Sequence, residues 1–274
     1  MEKTDADILG HYEMVTEAER LSRGAGQLEL ARTQELLTRF LPPPPAEVLD
    51  VGGGPGIYAC WLAQRGYQVH LIDIVPLHVE QALGASREMP GTQLAGAEVG
   101  DARKLKRSDA SADAVLLLGP LYHLTERADR VQALREARRT LRRGAVVIAA
   151  AISRFASLLG GLVDGSLDDP QFARIVERDL RDGQHRNVTN NPAYFTTAFF
   201  HHPNELAGEI REAGLQHEAT LAVEGPAWLL QDFDAHWNDP ARRARLLTAL
   251  RALEAEPSLL GASAHLLAVA RKTT

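Results

Sequence analysis

The chain of 274 residues is poor in several residue types, and each scarcity excludes a class of protein. Its single cysteine, Cys60, cannot form an internal disulfide, and ten scattered histidines without cysteine partners give no zinc-ligand spacing. The longest apolar runs, such as residues 145–152, are far too short to span a membrane. A net charge of −6 without a Lys- or Arg-rich tract argues against a nucleic-acid partner. The acidic, polar N-terminus does not read as a signal peptide, so we expect a cytoplasmic protein without a membrane partner.

Hydrophobic periodicity predicts an α/β protein. Residues 1–41 show helical spacing and predict an N-terminal helical cap, which the four prolines at 42–45 end because proline cannot continue a helix. Five predicted strands follow, at residues 47–51, 68–74, 93–99, 114–118 and 145–150. The last two are continuous apolar runs, typical of parallel strands buried on both faces. Between them we predict a helix over 125–143 with its arginines on a solvated face and Gly144 just past its end.

The alternation of strands and helices is interrupted once. Residues 153–202 hold two predicted helices, a polar loop and the aromatic segment AYFTTAFF at 193–200, and we expect this part to be a lid or substrate-binding insert. Alternation resumes with a helix at 203–213, a strand near 217–223, a helix at 240–254 and a last strand at 265–271. Residues 42–152 and 203–274 therefore form the predicted α/β core.

The stretch VLDVGGGPG at residues 48–56 is the most informative motif. It reads as a strand that ends in Asp50, then a glycine turn and a helix, and the next predicted strand ends in Asp73. This order is that of a mononucleotide-binding half of an open α/β sheet. Asp101 follows the third strand. Because the carboxyl ends of parallel strands meet at one edge of a sheet, we expect the three carboxylates to lie along the same rim.

Two nucleotides compete for this site. Residues 54–59 fit the permissive form G-x-G-x-x-A of a dinucleotide site, which would bind NAD. Asp50 favours S-adenosylmethionine instead, because its negative charge opposes a pyrophosphate and suits an ammonium or sulfonium group. Asp73 serves the ribose hydroxyls of either ligand. Asp101 is placed to accept from an adenine amine, although an aspartate there also often caps a helix.

Taken together, five motifs resemble those of the class I S-adenosylmethionine-dependent methyltransferases of small-molecule type. They are VLDVGGGPG, LIDI, GDARKL, DAVLLLGPLYHL and LRRGAVVIAA, within residues 45–152. The fifth departs from the family pattern, since Arg143-Gly144 stands where a proline–glycine pair is usual. The resemblance implies a Rossmann-like seven-stranded sheet of order 3-2-1-4-5-7-6, with helices on both faces and an antiparallel last strand.

The resemblance also implies sites. The predicted residues for binding S-adenosyl-L-methionine are Tyr12, Asp50, Gly52, Gly53, Gly54, Gly56, Asp73, Ile74, Asp101, Ala102 and Leu118. His123 is the candidate catalytic residue, as a base or as a group that holds the acceptor. The predicted substrate-binding residues are Tyr122, His185, Phe195, Phe199 and His201, whose rings suit an aromatic or heterocyclic small molecule. We expect methylation of oxygen or nitrogen, with an NAD-dependent oxidoreductase or a non-catalytic nucleotide-binding domain as alternatives, and with monomer or homodimer left open.

Overall fold

A computed structural model describes residues 20–88, 90–91, 93–189 and 191–274. The strands are β1 (Glu47–Val51), β2 (Gln68–Asp73), β3 (Gly96–Val99), β4 (Ala112–Leu117), β5 (Leu141–Ser153), β6 (Gln184–His185), β7 (Ala198–His201), β8 (Gln216–Ala222) and β9 (His265–Arg271). The helices are α1 (Gly26–Phe40), α2 (Ile57–Ala63), α3 (Pro76–Glu88), α4 (Pro120–His123), α5 (Arg127–Thr140), α6 (Ala156–Asp164), α7 (Pro170–Asp182), α8 (Pro203–Glu212), α9 (Phe233–Trp237) and α10 (Pro240–Leu253). None of the helices in these ranges combines the length and the apolar character that crossing a bilayer demands.

Seven strands form the predicted sheet. Their order is β3-β2-β1-β4-β5-β9-β8, and β9 runs antiparallel between β5 and β8. With β8 and β9 as the sixth and seventh core strands, the predicted order 3-2-1-4-5-7-6 with its antiparallel last strand is confirmed. The first five strands run parallel, so β1 to β5 end at one edge of the sheet.

The strand β4 shows why the central strands are apolar throughout. Val115 and Leu117 pack on one face of the sheet, in the core that also contains residues of α5 and α8. Ala114 and Leu116 pack on the other face, against residues of α1, α2 and α3. Alternate residues therefore enter two different cores, which is the reason that this strand has no polar face.

The junction between α5 and β5 differs from the prediction. The helix ends at Thr140 and the strand begins at once at Leu141, so Gly144 lies within β5 and not past a helix end. The pairing of β4 with β5 shifts register between Ala112 and Ala114. Gly144, with φ of +79°, lies in the part of β5 that precedes the regular ladder, where a left-handed residue suits an irregular strand.

Residues 153–202 extend the sheet at the carboxyl end of β5. There β7 pairs in parallel with the last residues of β5, Ile152 with Phe200 and Ser153 with His201, and β6 pairs antiparallel with β7. The sequence analysis did not predict β7, because four residues next to a loop give too short a pattern to separate strand from loop. The aromatic segment therefore lies beside the edge of the sheet at which the parallel strands end, and Asp50 and Asp73 lie at the same edge.

Candidate active site

The glycine turn between β1 and α2 is packed so tightly at two positions that side chains are excluded there. Gly52 has φ of +71°, and a Cβ there would lie 2.6 Å from the Cδ of Pro120. A Cβ on Gly53 would lie 2.7 Å from Oδ2 of Asp50. Gly54 has φ of +56° and an open surrounding, so its backbone faces free space. The turn therefore packs against the protein at Gly52 and Gly53, while its backbone at Gly54 is accessible to a ligand.

Asp50, at the end of β1, is a buried carboxylate without a protein partner. It is fully buried, and neither of its oxygens accepts a hydrogen bond from the described residues. Burial and the negative charge of Asp73 together raise the pKa of Asp50 to about 7. A carboxyl group in this state gains most from a ligand that brings a positive charge or a hydrogen-bond donor.

Asp73, at the end of β2, is held by the backbone. Its Oδ2 accepts from the amide of Gly54 at 2.8 Å and its Oδ1 from the amide of Val75 at 2.8 Å. The imidazole Nδ1 of His78 lies 3.3 Å from the same Oδ1. A carboxylate has about four lone-pair sites, so these contacts fix its orientation and leave acceptor capacity for a ligand.

Asp101, after β3, is bound by a neighbouring arginine. Its Oδ2 lies 2.7 Å from Nη2 of Arg103, whose Nη1 also donates to Asp129 at 3.0 Å. Burial raises the pKa of Asp101, but the hydrogen bonds from Arg103 outweigh burial and the net effect is a lowered pKa. No helix follows Asp101 in residues 100–111, so it does not serve as a helix cap. Asp101 is thus an ionised group at the far end of the rim.

The segment after β4 supplies aromatic and imidazole groups. Leu118 and Gly119 lead into α4, where the rings of Tyr122 and His123 meet edge to face at 4.7 Å. The ring of Phe195 lies 6.0 Å from His123, centroid to centroid. Phe195 has φ of +62° and ψ of −170°, a backbone conformation that is costly for any residue but glycine. The backbone conformation that places this ring near His123 therefore costs about 1–3 kcal/mol in strain.

A cleft of about 1300 Å³, including space open to solvent, runs along this edge. The predicted residues that line it are Asp50, Gly52, Gly53, Gly54, Asp73, Ile74, Asp101, Ala102, Leu118, Tyr122 and His123. Gly56 lies behind the turn instead, where a Cβ would come within 2.9 Å of the Cβ of Ala82. Tyr12 lies outside the described residues.

Of the five predicted substrate residues, Tyr122 lines the cleft, Phe195 lies near His123 without lining the cleft, and the other three are held inside the protein. His185 is buried, with Nδ1 2.9 Å from Asp179 and Nε2 2.8 Å from the carbonyl of Tyr194. His201 is fully buried, with Nε2 3.2 Å from Glu209. The buried ring of Phe199 stacks under a guanidinium group. Because their polar atoms or faces are used inside the protein, we correct their assignment from substrate binding to internal packing.

That guanidinium belongs to Arg130, which the sequence analysis placed wrongly on a solvated face. Arg130 is only 2% exposed, lies 3.6 Å from the centroid of Phe199, and donates to Glu209 at 2.7 Å. Its Nη1 donates to the carbonyls of Leu124 and Thr125, at 2.9 Å each. Arg130 therefore holds the backbone directly after His123.

The cleft is also lined by residues that were not predicted, among them five that lie outside the five motifs of the sequence analysis. They are Arg20, Glu29, Tyr58, Val223 and His265. They come from the N-terminal part of the chain, from α2 and from the ends of β8 and β9, and no local motif connects them. The one available signal was position, since a residue at the start of an antiparallel seventh strand lies at the carboxyl edge.

Comparison with known proteins agrees with this geometry. Residues 49–149 match the family model described as "Methyltransferase domain". No curated protein matches the chain significantly. Solved structures do resemble it. The alignment with a SAM-dependent methyltransferase from Methanosarcina mazei has a TM-score of 0.58 at 17% identity and covers 86% of this chain and 96% of that one.

Two other structures are similar over nearly the whole chain. A methyltransferase from Haloferax volcanii, in complex with the Trm112 methyltransferase activator, aligns with a TM-score of 0.61 at 19% identity, over 97% of this chain and 98% of that one. A protein from Thermotoga maritima, described as a possible histamine N-methyltransferase, aligns with a TM-score of 0.55 at 18% identity, over 97% and 99%. At such identities the likeness concerns the fold.

The site fits the donor that this family uses. The orphaned, buried oxygens of Asp50 suit a cationic group, and the open backbone at Gly54 lets a ligand approach the turn. Asp73 keeps acceptor capacity for hydroxyl groups. The fold and the match over residues 49–149 agree: these residues form a methyltransferase domain, within the seven-stranded fold of the class I S-adenosylmethionine-dependent methyltransferases.

Proposed function

We propose that this methyltransferase acts on a small aromatic or heterocyclic molecule and methylates an oxygen or a nitrogen. The observation that carries the proposal is the continuity of one cleft from Asp101 to His123 and His265. We call the part lined by Asp50, the glycines 52–54, Asp73 and Asp101 the donor half. The part lined by Tyr58, Tyr122, His123, Val223 and His265 is the acceptor half.

In the donor half, each acidic residue has a distinct role. Asp50 would face the cationic end of the donor, Asp73 the ribose hydroxyls and Asp101 the adenine. Ile74, Ala102 and Leu118 line the same space and would pack against the adenosine. When bound, S-adenosylmethionine supplies an activated methyl group whose departure leaves a neutral thioether. The main tasks left to the protein are alignment and the exclusion of water.

In the acceptor half, His123 is the proposed catalytic residue. It lines the cleft beside Tyr122, on the segment that follows the fourth strand. Its imidazole would orient the attacking oxygen or nitrogen and take its proton where the acceptor must lose one. Arg130 supports this role, because it fixes the two carbonyls that follow His123.

The two peripheral segments are the proposed walls of the acceptor half. The N-terminal part contributes Arg20 and Glu29 to the cleft. The ring of Phe195, from residues 153–202, lies 6.0 Å from the ring of His123. We propose that residues 1–41 act as a cap and 153–202 as a substrate-binding insert on the core. The relative from Thermotoga maritima is named for a small heteroaromatic amine, which agrees with an acceptor of this class.

Titration calorimetry with S-adenosylhomocysteine, followed by an acceptor screen with methyl-labelled donor, tests the proposal. We expect saturable binding, and transfer of label to phenols or heteroaromatic amines but not to tRNA or to proteins. Label that appears only in a macromolecule would overturn the small-molecule assignment, and absence of binding would overturn the assignment of the donor site.

A further inference from the structure

One histidine that lines the acceptor half has no chemical role in the proposed function above. His265 begins β9, pairs with Ile152 of β5 and lines the cleft. Its Nδ1 lies 2.6 Å from Oε1 of Glu224. Among residues within the described ranges, no hydrogen bond reaches its Nε2, and the side chain keeps 22% of its surface exposed. One ring nitrogen is therefore held by the protein and the other is available to the cleft.

Glu224 is built to hold this ring. It is 2% exposed, and its Oε2 accepts from Oγ of Ser263 at 2.9 Å and from the backbone amide of His265 at 3.0 Å. Oγ of Ser263 in turn accepts from the amide of Glu224 at 3.1 Å. The carboxylate thus cannot rotate away, and it fixes both the position of the imidazole and the proton on its Nδ1.

Two carboxylates and one guanidinium group lie around the imidazole of His265. Oε2 of Glu29, on α1, lies 3.8 Å from the His265 Nδ1, and Arg20 binds both oxygens of Glu29 at 2.5 and 2.9 Å. Burial alone would lower the pKa of His265, but the carboxylates of Glu29 and Glu224 outweigh burial and Arg20, and they raise that pKa to about 9. At neutral pH the ring is an imidazolium, so its Nε2–H is a hydrogen-bond donor.

The order of the strands places His265 beyond the donor. Asp73 and Asp101 mark the adenosine end, at β2 and β3, and the glycine turn follows β1. β9 lies two strands past β4 in the sheet order, which is about 10 Å at the usual spacing of neighbouring strands. A group there is too far along the edge to serve the ribose or adenine, and it lines the acceptor half of the cleft.

We propose that His265, held by Glu224, binds an oxygen of the methyl acceptor at a position remote from the methylated atom. The site selects small aromatic acceptors that carry a carboxylate or carbonyl oxygen, because the imidazolium Nε2–H donates and does not accept. This inference rests on the proposed small-molecule function. It makes His265 a specificity residue, distinct from His123, which lies next to the fourth strand.

Fragment binding to the protein saturated with S-adenosylhomocysteine tests this proposal. The probes are benzoate, benzamide and benzylamine, and the reporter is the His265 Cε1–H signal in protein with ¹³C-labelled histidine, assigned by its loss in His265→Phe. We expect benzoate and benzamide to shift this signal and benzylamine to leave it in place. A larger effect of benzoate would identify a carboxylate as the preferred group, and equal effects would identify a carbonyl.

Matched variants separate binding from structure. His265→Phe keeps a ring but no donor, so benzoate should bind at least fivefold more weakly. His265→Gln restores an amide donor near the position of Nε2 and should recover most of the affinity. An unchanged affinity for S-adenosylhomocysteine in both shows that the fold is intact. Benzoate binding equal in wild type and His265→Phe would overturn the inference, whereas failure of the wild type to bind S-adenosylhomocysteine would overturn the donor site.

Discussion

The two halves of the cleft are built in different ways. In the donor half, Asp73 is oriented by backbone amides of Gly54 and Val75, at 2.8 Å each. In the acceptor half, His265 is oriented by the side chain of Glu224, itself held by Ser263. Backbone contacts follow from the strand and turn alone, whereas side-chain contacts depend on which residues distant segments contribute.

The difference teaches where specificity can change without loss of the donor. At Gly52 and Gly53, which lie against Pro120 and Asp50, the turn leaves no room for a side chain. The acceptor half is lined by residues from four separate parts of the chain, and we expect substitutions at Tyr122, His123, Val223 and His265 to leave the glycine turn unchanged. The predictions below test this separation between a fixed half and an adaptable half.

Asp73→Ala should have the largest effect, confined to the donor. The change removes the acceptor for two backbone amides and the proposed partner of the ribose. Because a hydrogen bond to a charged group contributes about 1.5–3 kcal/mol and the ribose diol offers two, affinity for S-adenosylhomocysteine should fall by about 10²- to 10⁴-fold in titration calorimetry. Asp109→Ala is the matched control, since Asp109 is an exposed partner of Arg139 away from the cleft. Affinity retained within threefold in a folded Asp73→Ala protein would contradict the ribose assignment.

His123→Ala should lower turnover in the acceptor half, by a factor somewhat smaller than the loss of donor affinity in Asp73→Ala. Loss of a positioned base or orienting group should lower turnover of the identified acceptor by about 10²-fold. The donor affinity should change less than threefold, because His123 lies outside the donor half. Steady-state kinetics with calorimetry in parallel separates the two quantities. Turnover equal to that of the wild type would show that His123 only packs against Tyr122.

Asp50→Asn should separate stability from binding. The pKa of Asp50 is raised to about 7, above its value of about 3.9 in an unfolded chain. Between these values the folded protein binds a proton that the unfolded chain has lost, so Asp50 lowers the free energy of unfolding as the pH rises through this window. Asp50→Asn should therefore be more stable than wild type at pH 8 by up to about 4 kcal/mol, since each unit of pKa difference corresponds to about 1.4 kcal/mol, and nearly equal to it near pH 4.

Urea unfolding at the two pH values measures this difference, and calorimetry should show weaker donor binding by the same variant. A stability gain together with a binding loss is expected only where a buried carboxylate is retained for a ligand. If Asp50→Asn is less stable than wild type at pH 8, Asp50 has a structural partner and the assignment fails.

Phe195→Leu should have the smallest effect. The ring lies 6.0 Å from His123, and Leu keeps apolar volume but no aromatic face. An aromatic pair contributes about 0.5–1.5 kcal/mol beyond its burial, so the KM for an aromatic acceptor should rise about three- to tenfold with kcat nearly unchanged. An aliphatic acceptor should show no such change in KM, and an equal change for both would mean that Phe195 acts only on the fold of residues 153–202.

The sequence predicted the donor half better than the acceptor half for a physical reason. Asp50, the glycines and Asp73 lie within 24 consecutive residues, where strand and turn propensities fix the geometry locally. The bounds of β9 were likewise predicted from its apolar run, whereas the order of the seven core strands was predicted only through the resemblance to a family.

The acceptor half depends on contacts that no local pattern encodes. Glu29 and His265 are separated by most of the chain, and only the docking of α1 against the sheet brings them within 3.8 Å. His185 and His201 have the composition of site residues, but each is paired with a buried carboxylate, Asp179 and Glu209 respectively. Arg130 looked solvated because its partner Glu209 lies on α8, 79 positions later.

A crystal structure with bound S-adenosylhomocysteine tests the central claim most directly. We expect the ribose hydroxyls at Asp73, the adenine beside Asp101 and the amino group of the homocysteine facing Asp50, with free space above the sulfur bounded by His123 and His265. An adenosine placed away from Asp73 and Asp101, or a sulfur that faces away from His123, would contradict the account.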